Sequence, residues 1–142
     1  MLRGVGRWLR VAGYDTSIAG SGSADAEVLA LAAAEARVLL TCDRALGAQA
    51  AGALLLDSER LDEAARALKE RLGIDWLRAP FSRCLLDNAE LRPAGAQALA
   101  GVPGPARRAG ETVTVCPECA RVYWPGSHVR RMRARLERWQ AL

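Results

Sequence analysis

The sequence is poor in the side chains that serve most often as bases and nucleophile partners. It contains one histidine, His128, and one lysine, Lys69, among 142 residues. A Ser-His-Asp or Cys-His mechanism needs a histidine that can lie beside the nucleophile. The only histidine follows the last cysteine pair and is far along the chain from Cys42. Mechanisms of these two kinds are therefore not expected.

Long apolar runs are also missing. No stretch approaches the length of a membrane span, and the residues behind Met1 contain no apolar signal core. Hydrophobic residues nevertheless make up 51% of the chain, which predicts a packed core. We therefore expect a cytoplasmic protein without membrane contact. In that compartment its four cysteines would be reduced or metal-bound rather than disulfide-bonded.

The net positive charge lies in the second part of the chain, because acidic groups are fewer there. Residues 1–79 carry 10 basic and 11 acidic groups, whereas residues 80–142 carry 10 basic and 5 acidic groups. Arginine near aromatic residues is typical of phosphate-backbone binding with base stacking. A solvated helix face explains the same pattern about as well. The prediction is RNA contact through three arginines of the last helix: Arg130, Arg131 and Arg135.

Apolar runs that end in carboxylates alternate with amphipathic segments over residues 1–79. The runs at 37–41 and 53–57 predict buried strands, and a weaker strand is predicted at 14–19. Helices are predicted at 2–12, from Ser23 or Asp25 to about 35, at 43–51, and from a cap at Ser58 to 72. This alternation predicts an α/β layer with a parallel sheet flanked by helices.

The composition changes at Pro80, which we take as the boundary between domains 1–79 and 80–142. Residues 91–108 are expected to form a loop with one helical turn, because prolines and glycines are frequent there. Short strands are predicted at 112–115 and 121–124, on either side of a cysteine pair. A basic helix capped by Ser127 follows and continues to the C-terminus.

Two short motifs could together hold a structural zinc ion. Cys116 and Cys119 have the spacing of two thiolate corners of a tetrahedral site. A thioredoxin-type redox motif is the alternative, but it needs a long helix directly after the pair. Cys84 and Asp87 repeat the spacing with a carboxylate in the last position. The predicted ligands are Cys84, Asp87, Cys116 and Cys119, with His128 competing for the fourth place.

Acidic residues of the first part form a second candidate site. Asp43 and Asp57 follow the two apolar runs, and Asp25 begins a helix. Parallel strands would bring their carboxyl ends to one edge of the sheet. Clustered carboxylates attract a hard cation such as Mg²⁺ or Mn²⁺, which can activate water beside a phosphate. Each acid could instead be an ordinary helix cap. Asp43 is the strongest functional candidate.

Four stretches resemble the Mut-seven C-terminal RNase domain family: residues 1–15, 37–44, 80–84 and 116–128. The resemblance covers nearly the whole chain, and the Cys-Pro-Glu-Cys stretch with its Tyr-Trp-Pro-Gly-Ser-His continuation is its most specific part. It implies a PIN-like nuclease fold joined to a C-terminal zinc ribbon. It also implies a metal-dependent ribonuclease that cleaves RNA phosphodiester bonds, with Asp43 as a catalytic acid and Asp25 as the best match for a second.

The chain departs from that family in two places. The family pattern begins earlier, with an apolar strand that ends in an Asp just before the Met-Leu pair, and Asp87 replaces a cysteine. We therefore expect little Mg²⁺- or Mn²⁺-dependent activity from the 142-residue form and more from a form extended upstream. A non-catalytic RNA-binding zinc-ribbon protein is the alternative, and a zinc-ribbon interaction module is a third possibility. The RNA substrate, any protein partner and the oligomeric state do not follow from the sequence.

Overall fold

The protein contains both helices and strands, as predicted for a mixed α/β protein. The computed structural model describes residues 2–57, 60–104 and 112–142. Its helices are α1 (Leu2–Val11), α2 (Asp25–Ala34), α3 (Arg44–Gln49), α4 (Leu61–Leu72), α5 (Ala96–Ala100) and α6 (Ser127–Gln140). Its strands are β1 (Leu40–Thr41), β2 (Leu54–Leu55), β3 (Arg92–Pro93), β4 (Thr114–Val115) and β5 (Val122–Tyr123). No helix in these ranges is both long and apolar enough to cross a membrane.

The first sheet is a parallel pair. β1 and β2 pair in parallel, with Leu40 opposite Leu54 and Thr41 opposite Leu55. Both strands are shorter than the apolar runs that predict them. The strand predicted at 14–19 is wrong, because the Thr16 amide donates to the side chain of Asn88 at 3.0 Å instead of to a strand. The described residues therefore contain a two-stranded parallel pair, not a wider parallel sheet.

The second sheet is antiparallel and has the order β3-β4-β5. Its hairpin, β4–β5, lies where the sequence predicts two strands around the cysteine pair. β3 lies in the segment 91–108, which the sequence predicts to be a loop because prolines such as Pro93 disfavour strands. Pro93 is tolerated there since β3 is an edge strand, where a missing N–H breaks no ladder.

One apolar cluster joins the first helices to the last one. Its buried members include Leu9 of α1, Leu54 of β2, Leu68 of α4 and Leu136 of α6. Trp139 packs on both Trp8 and Trp76, with ring centroids 4.9 Å apart in each pair. α6 therefore contributes to the same core as α1 and α4. The division into domains 1–79 and 80–142 stays a prediction.

Two predicted helix caps are wrong, and a third lies outside the described residues. α2 begins after Ala24, whose amide donates to the Glu27 carboxylate at 3.4 Å, so neither Ser23 nor Asp25 caps it. α6 begins after Gly126 without a side-chain cap, and Ser127 is its first helical residue. The predicted cap Ser58 falls in the undescribed pair 58–59.

Gly13 brings the end of α1 against the segment that leads to the first cysteine motif. Its φ is +94°, and a Cβ at this position would lie 2.5 Å from the Ala79 carbonyl oxygen. The Ala12 carbonyl accepts from the Ala79 amide at 3.1 Å, and the Val11 carbonyl accepts from the Phe81 amide at 2.7 Å. Only glycine fits both the left-handed conformation and the close approach. The start of the candidate metal centre is therefore held against α1.

Candidate metal centre and acidic residues

Four potential metal ligands converge from two turns, one before β3 and the other between β4 and β5. The ligand atoms of Cys84, Asp87, Cys116 and Cys119 all lie within 4.8 Å of one another. Cys84 and Cys116 are buried, whereas Asp87 and Cys119 are exposed. The structure thus brings together the four residues that the motif spacing predicts. His128 is exposed in the first turn of α6 and is not part of this group.

The two halves of this cluster share one backbone pattern. We call residues 84–89 the first knuckle and residues 116–121 the second knuckle. In the first, the Cys84 amide donates to the Ala89 carbonyl and the Cys84 carbonyl accepts from Asn88. In the second, the Cys116 amide donates to the Arg121 carbonyl and the Cys116 carbonyl accepts from Ala120.

The match extends to the residue after the second ligand of each knuckle. Asn88 and Ala120 are both left-handed, with φ of +71° and +58°. Asparagine adopts this conformation more readily than most residues, but alanine does not, so the second knuckle depends more on its surroundings. Because the two knuckles make the same backbone hydrogen bonds at equivalent positions, Asp87 occupies the position equivalent to Cys119.

Thiols of this cluster donate hydrogen bonds to its carboxylate. The Cys116 thiol donates to the Asp87 oxygens at 3.2 and 3.4 Å. Thiol hydrogen bonds, that of Cys119 foremost, lower the pKa of Asp87 to about 2. The Asp87 carboxylate in turn raises the pKa of Cys119 to about 12. Burial raises the pKa of Cys116. A cation that binds here would therefore replace the thiol protons, and the sulfur and carboxylate oxygen atoms would become its ligands.

The geometry fits zinc. The sulfur atoms of Cys84 and Cys119 are 3.7 Å apart. Two thiolates on a tetrahedral Zn²⁺ with bonds of about 2.3 Å would be separated by about 3.8 Å. Three sulfurs and one carboxylate oxygen favour zinc over Mg²⁺ or Ca²⁺, which prefer oxygen-only sites. The residues that would hold the ion are Cys84, Asp87, Cys116 and Cys119.

Tyr123 supports the first knuckle from β5. Its hydroxyl lies 3.0 Å from the Cys84 sulfur and accepts from the Leu85 amide at 3.2 Å. Burial raises the pKa of this tyrosine, so it remains a neutral hydroxyl at physiological pH. A hydroxyl beside a ligand sulfur orients that ligand. The sequence gives no hint of this role, since Tyr123 is far from Cys84 along the chain.

The predicted catalytic acids do not converge in the same way. Oδ1 of Asp43 accepts from the Ala45 amide at 2.7 Å and from the Leu46 amide at 3.1 Å, which makes Asp43 the N-cap of α3. Asp57 pairs with Arg44 at 3.5 Å. Asp25 is exposed in the first turn of α2. In the described part of the chain, these three acids form no group that could hold a metal. They are therefore not a ready-made site for Mg²⁺ or Mn²⁺.

A large cleft lies beside one of these acids. Its volume is about 1020 Å³, and α1, α2, β1 and the segment 14–20 line it. Asp25 and Glu27 are among the lining residues, whereas Asp43 is not. α2 buries none of its residues, and its Leu31 is 45% exposed. The sequence predicts the α2 helix but not the open cleft that it borders.

The arginines of α6 fall into two groups. Arg130 and Arg131 are exposed. Arg135 instead pairs with Asp62 of α4 at 3.2 Å and lies over the rings of Trp8 and Trp139. The same Asp62 accepts from the Trp139 indole at 2.7 Å, and these hydrogen bonds lower the pKa of its carboxyl group. Arg135 is thus engaged in packing α6 onto α4, whereas Arg130 and Arg131 face solvent.

The fold and the cluster define a mixed α/β protein with a cysteine-rich candidate metal centre. This chain belongs to the Mut7-C RNAse domain family, whose model matches residues 1–136. The family that the sequence motifs resemble is thereby confirmed. No match was found among curated proteins or among solved structures.

Proposed function

We propose that this chain is a ribonuclease that acts on RNA phosphodiester bonds. The family match over residues 1–136 is the observation that carries the proposal. In this proposal the first part of the chain is PIN-like, and Asp43 and Asp25 are its catalytic acids. Since these carboxylates do not form a metal group in the described structure, catalysis would require RNA or metal binding to draw them together.

We further propose that Cys84, Asp87, Cys116 and Cys119 hold a structural zinc ion. Their mutual distances and the matched hydrogen bonds of the two knuckles support this assignment. A structural zinc contributes folding energy to the hairpin module that holds it. The module would then present the exposed Arg130 and Arg131 to the RNA backbone.

RNA binding without cleavage is the second candidate. The separation of the acids favours it, because one or two carboxylates hold Mg²⁺ weakly against its hydration shell. The capping hydrogen bonds of Asp43 favour it as well, because they give this residue a structural role that needs no catalysis.

An assay of RNA binding and cleavage on the same preparation separates the two candidates. Labelled single-stranded RNA is incubated with the full chain in Mg²⁺ or Mn²⁺, and the wild type is compared with Asp43→Asn and Asp25→Asn. Glu70→Gln, at an exposed carboxylate on α4, is the control. Cleavage that both Asp variants lose, and the control keeps, supports the ribonuclease. Binding without cleavage supports the second candidate. If the chain neither binds nor cleaves the RNA, both candidates are contradicted.

A further inference from the structure

Arg10 of α1 reaches into the first knuckle. Its guanidinium Nη1 donates to the carbonyl oxygens of Leu85 and Leu86, at 3.0 and 2.7 Å. These are the two residues between the candidate ligands Cys84 and Asp87. Arg10 is buried, with 5% of its surface exposed. Burying a guanidinium is costly unless its N–H groups form hydrogen bonds. In Arg10, they donate to backbone oxygens of the first knuckle.

The same guanidinium also holds a segment of the first part of the chain. Its Nε donates to the Thr16 carbonyl at 2.8 Å. Arg10 therefore bridges the first knuckle and the backbone at 14–18, which we call the wall segment. All five residues of the wall segment line the cleft between α1 and α2.

Asn88 forms a second bridge between the same two places. Its Oδ1 accepts from the Thr16 amide at 3.0 Å, and its Nδ2 donates to the Asp15 carboxylate at 2.6 Å. Arg37 donates to the same carboxylate at 3.0 and 3.1 Å. The hydrogen bonds from Arg37 and Asn88 lower the pKa of Asp15, so this carboxylate stays charged at neutral pH. The wall segment is therefore attached to the knuckle by side chains, with no strand pairing of its own.

Electrostatic attraction would also link Arg10 to the metal-loaded cluster. Three thiolates and one carboxylate around Zn²⁺ form a group that is formally doubly negative. The positive charge of Arg10 lies directly behind the Cys84–Asp87 turn, where it offsets that excess. Burial lowers the pKa of Arg10, and the nearby charges of Cys84 and Asp87 oppose that shift. Loading the metal should thus strengthen the contacts of Arg10, and those contacts should strengthen metal binding.

We propose that Arg10 and Asn88 couple metal loading of the cluster to the order of the wall segment, with Arg10 as a positioning residue for the first knuckle. This inference rests on the proposed zinc site. An ion fixes the spacing of Cys84 and Asp87 and therefore where the intervening carbonyls meet Arg10. One wall of the cleft is in this way held by the metal centre of the other module.

Hydrogen exchange of the full chain, with zinc and after removal of zinc by a chelator, tests the coupling. In the wild type we expect exchange at 14–18, and at the Thr16 amide in particular, to rise when zinc is removed. In Arg10→Met, the exchange should be fast in both states, and zinc affinity measured by chelator competition should fall about tenfold or more. Arg7→Met, at an exposed arginine of the same helix, should resemble the wild type.

Asn88→Gly provides a second variant if Arg10→Met does not fold. Glycine keeps the left-handed backbone and removes only the side-chain bridge to Asp15 and Thr16. It should weaken zinc binding and release the Thr16 amide. Zinc-independent exchange at 14–18 in a wild type that holds one zinc would overturn the coupling alone, as would wild-type affinity in the folded variants. Elemental analysis that finds no zinc would instead overturn the metal site together with the coupling.

Discussion

At the scale of single residues, Asp87 distinguishes the candidate metal centre from a site made of four cysteines. It stands where the second knuckle has Cys119, and its carboxylate already accepts from the Cys116 thiol. We expect Asp87→Cys to bind zinc at least as tightly as the wild type, because thiolate is the better ligand for a structural site. Asp87→Ala should weaken binding by tenfold or more. Chelator competition on purified protein measures both changes.

His128→Ala is the matched control for that comparison. His128 is exposed at the start of α6 and lies outside the ligand group, so its removal should leave zinc affinity unchanged. Loss of zinc from His128→Ala with retention by Asp87→Ala would show that the histidine supplies the fourth ligand.

Motif spacing predicts that the two members of each pair lie close together, because each pair lies in one tight turn, but it leaves the fourth place open between Asp87 and His128. The supporting residues could not be predicted in this way. Tyr123 and Arg10 reach the first knuckle from elements that are 38 and 75 residues away from their partner Leu85. Only the folded chain places them there. The packing role of Arg135 could not be predicted either, because its partner Asp62 is 73 residues away along the chain.

At the scale of elements, Asp43 joins β1 to α3 by capping the helix. Replacing it with alanine removes the acceptor of two backbone N–H groups and should cost about 1 kcal/mol of stability. Asparagine caps helices nearly as well as aspartate, so the free energy of unfolding of Asp43→Asn should be close to that of the wild type. Chemical denaturation of the two variants measures this. The Asn variant therefore removes the negative charge without the structural defect, and any loss of RNA cleavage in it reports on chemistry.

Two arginines of the helix α6 allow the proposed RNA contact to be tested separately from packing. Arg131→Ala should weaken binding of unrelated RNA sequences alike and reduce the salt dependence of binding, with little change in stability, because Arg131 is exposed. Arg135→Ala should instead destabilise the fold, because it removes the ion pair with Asp62 and the contacts over two tryptophan rings. RNA titrations at several salt concentrations and thermal unfolding distinguish the two. Unchanged affinity and salt slope in Arg131→Ala would mean that this face is only solvated.

The helices were easier to predict than the strands. α1 and α4 have apolar residues at helical spacing and are followed by Gly13 and Gly73, both with positive φ. The apolar runs 37–41 and 53–57 predicted where β1 and β2 lie, but only two residues of each pair in the ladder. Hydrogen-bonded length depends on a neighbouring strand, which the run itself cannot specify. The wall segment 14–18 shows the same limit, since side chains replace strand pairing there.

At the scale of the whole molecule, α6 links the two parts that composition separates at Pro80. Leu136 is fully buried in a cluster with Val5, Leu54 and Leu68, although it follows the β4–β5 hairpin in the chain. If this shared core governs stability, residues 1–79 and 80–142 should unfold in one cooperative transition. Tryptophan fluorescence reports on the Trp8–Trp76–Trp139 contacts, and far-ultraviolet circular dichroism reports on all helices. The two curves should coincide in the zinc-loaded protein.

Leu136→Ala sharpens this test. It removes a fully buried side chain where α6 meets α1 and α4, and should cost about 2–5 kcal/mol. Because the cluster is continuous, the loss should lower the midpoint of both spectroscopic curves together. Leu142→Ala, at a residue that is 46% exposed, is the control and should change neither curve. Two separate transitions, with Leu136→Ala shifting only one, would instead show that the parts divided at Pro80 are independent folding units and that α6 merely rests on the first.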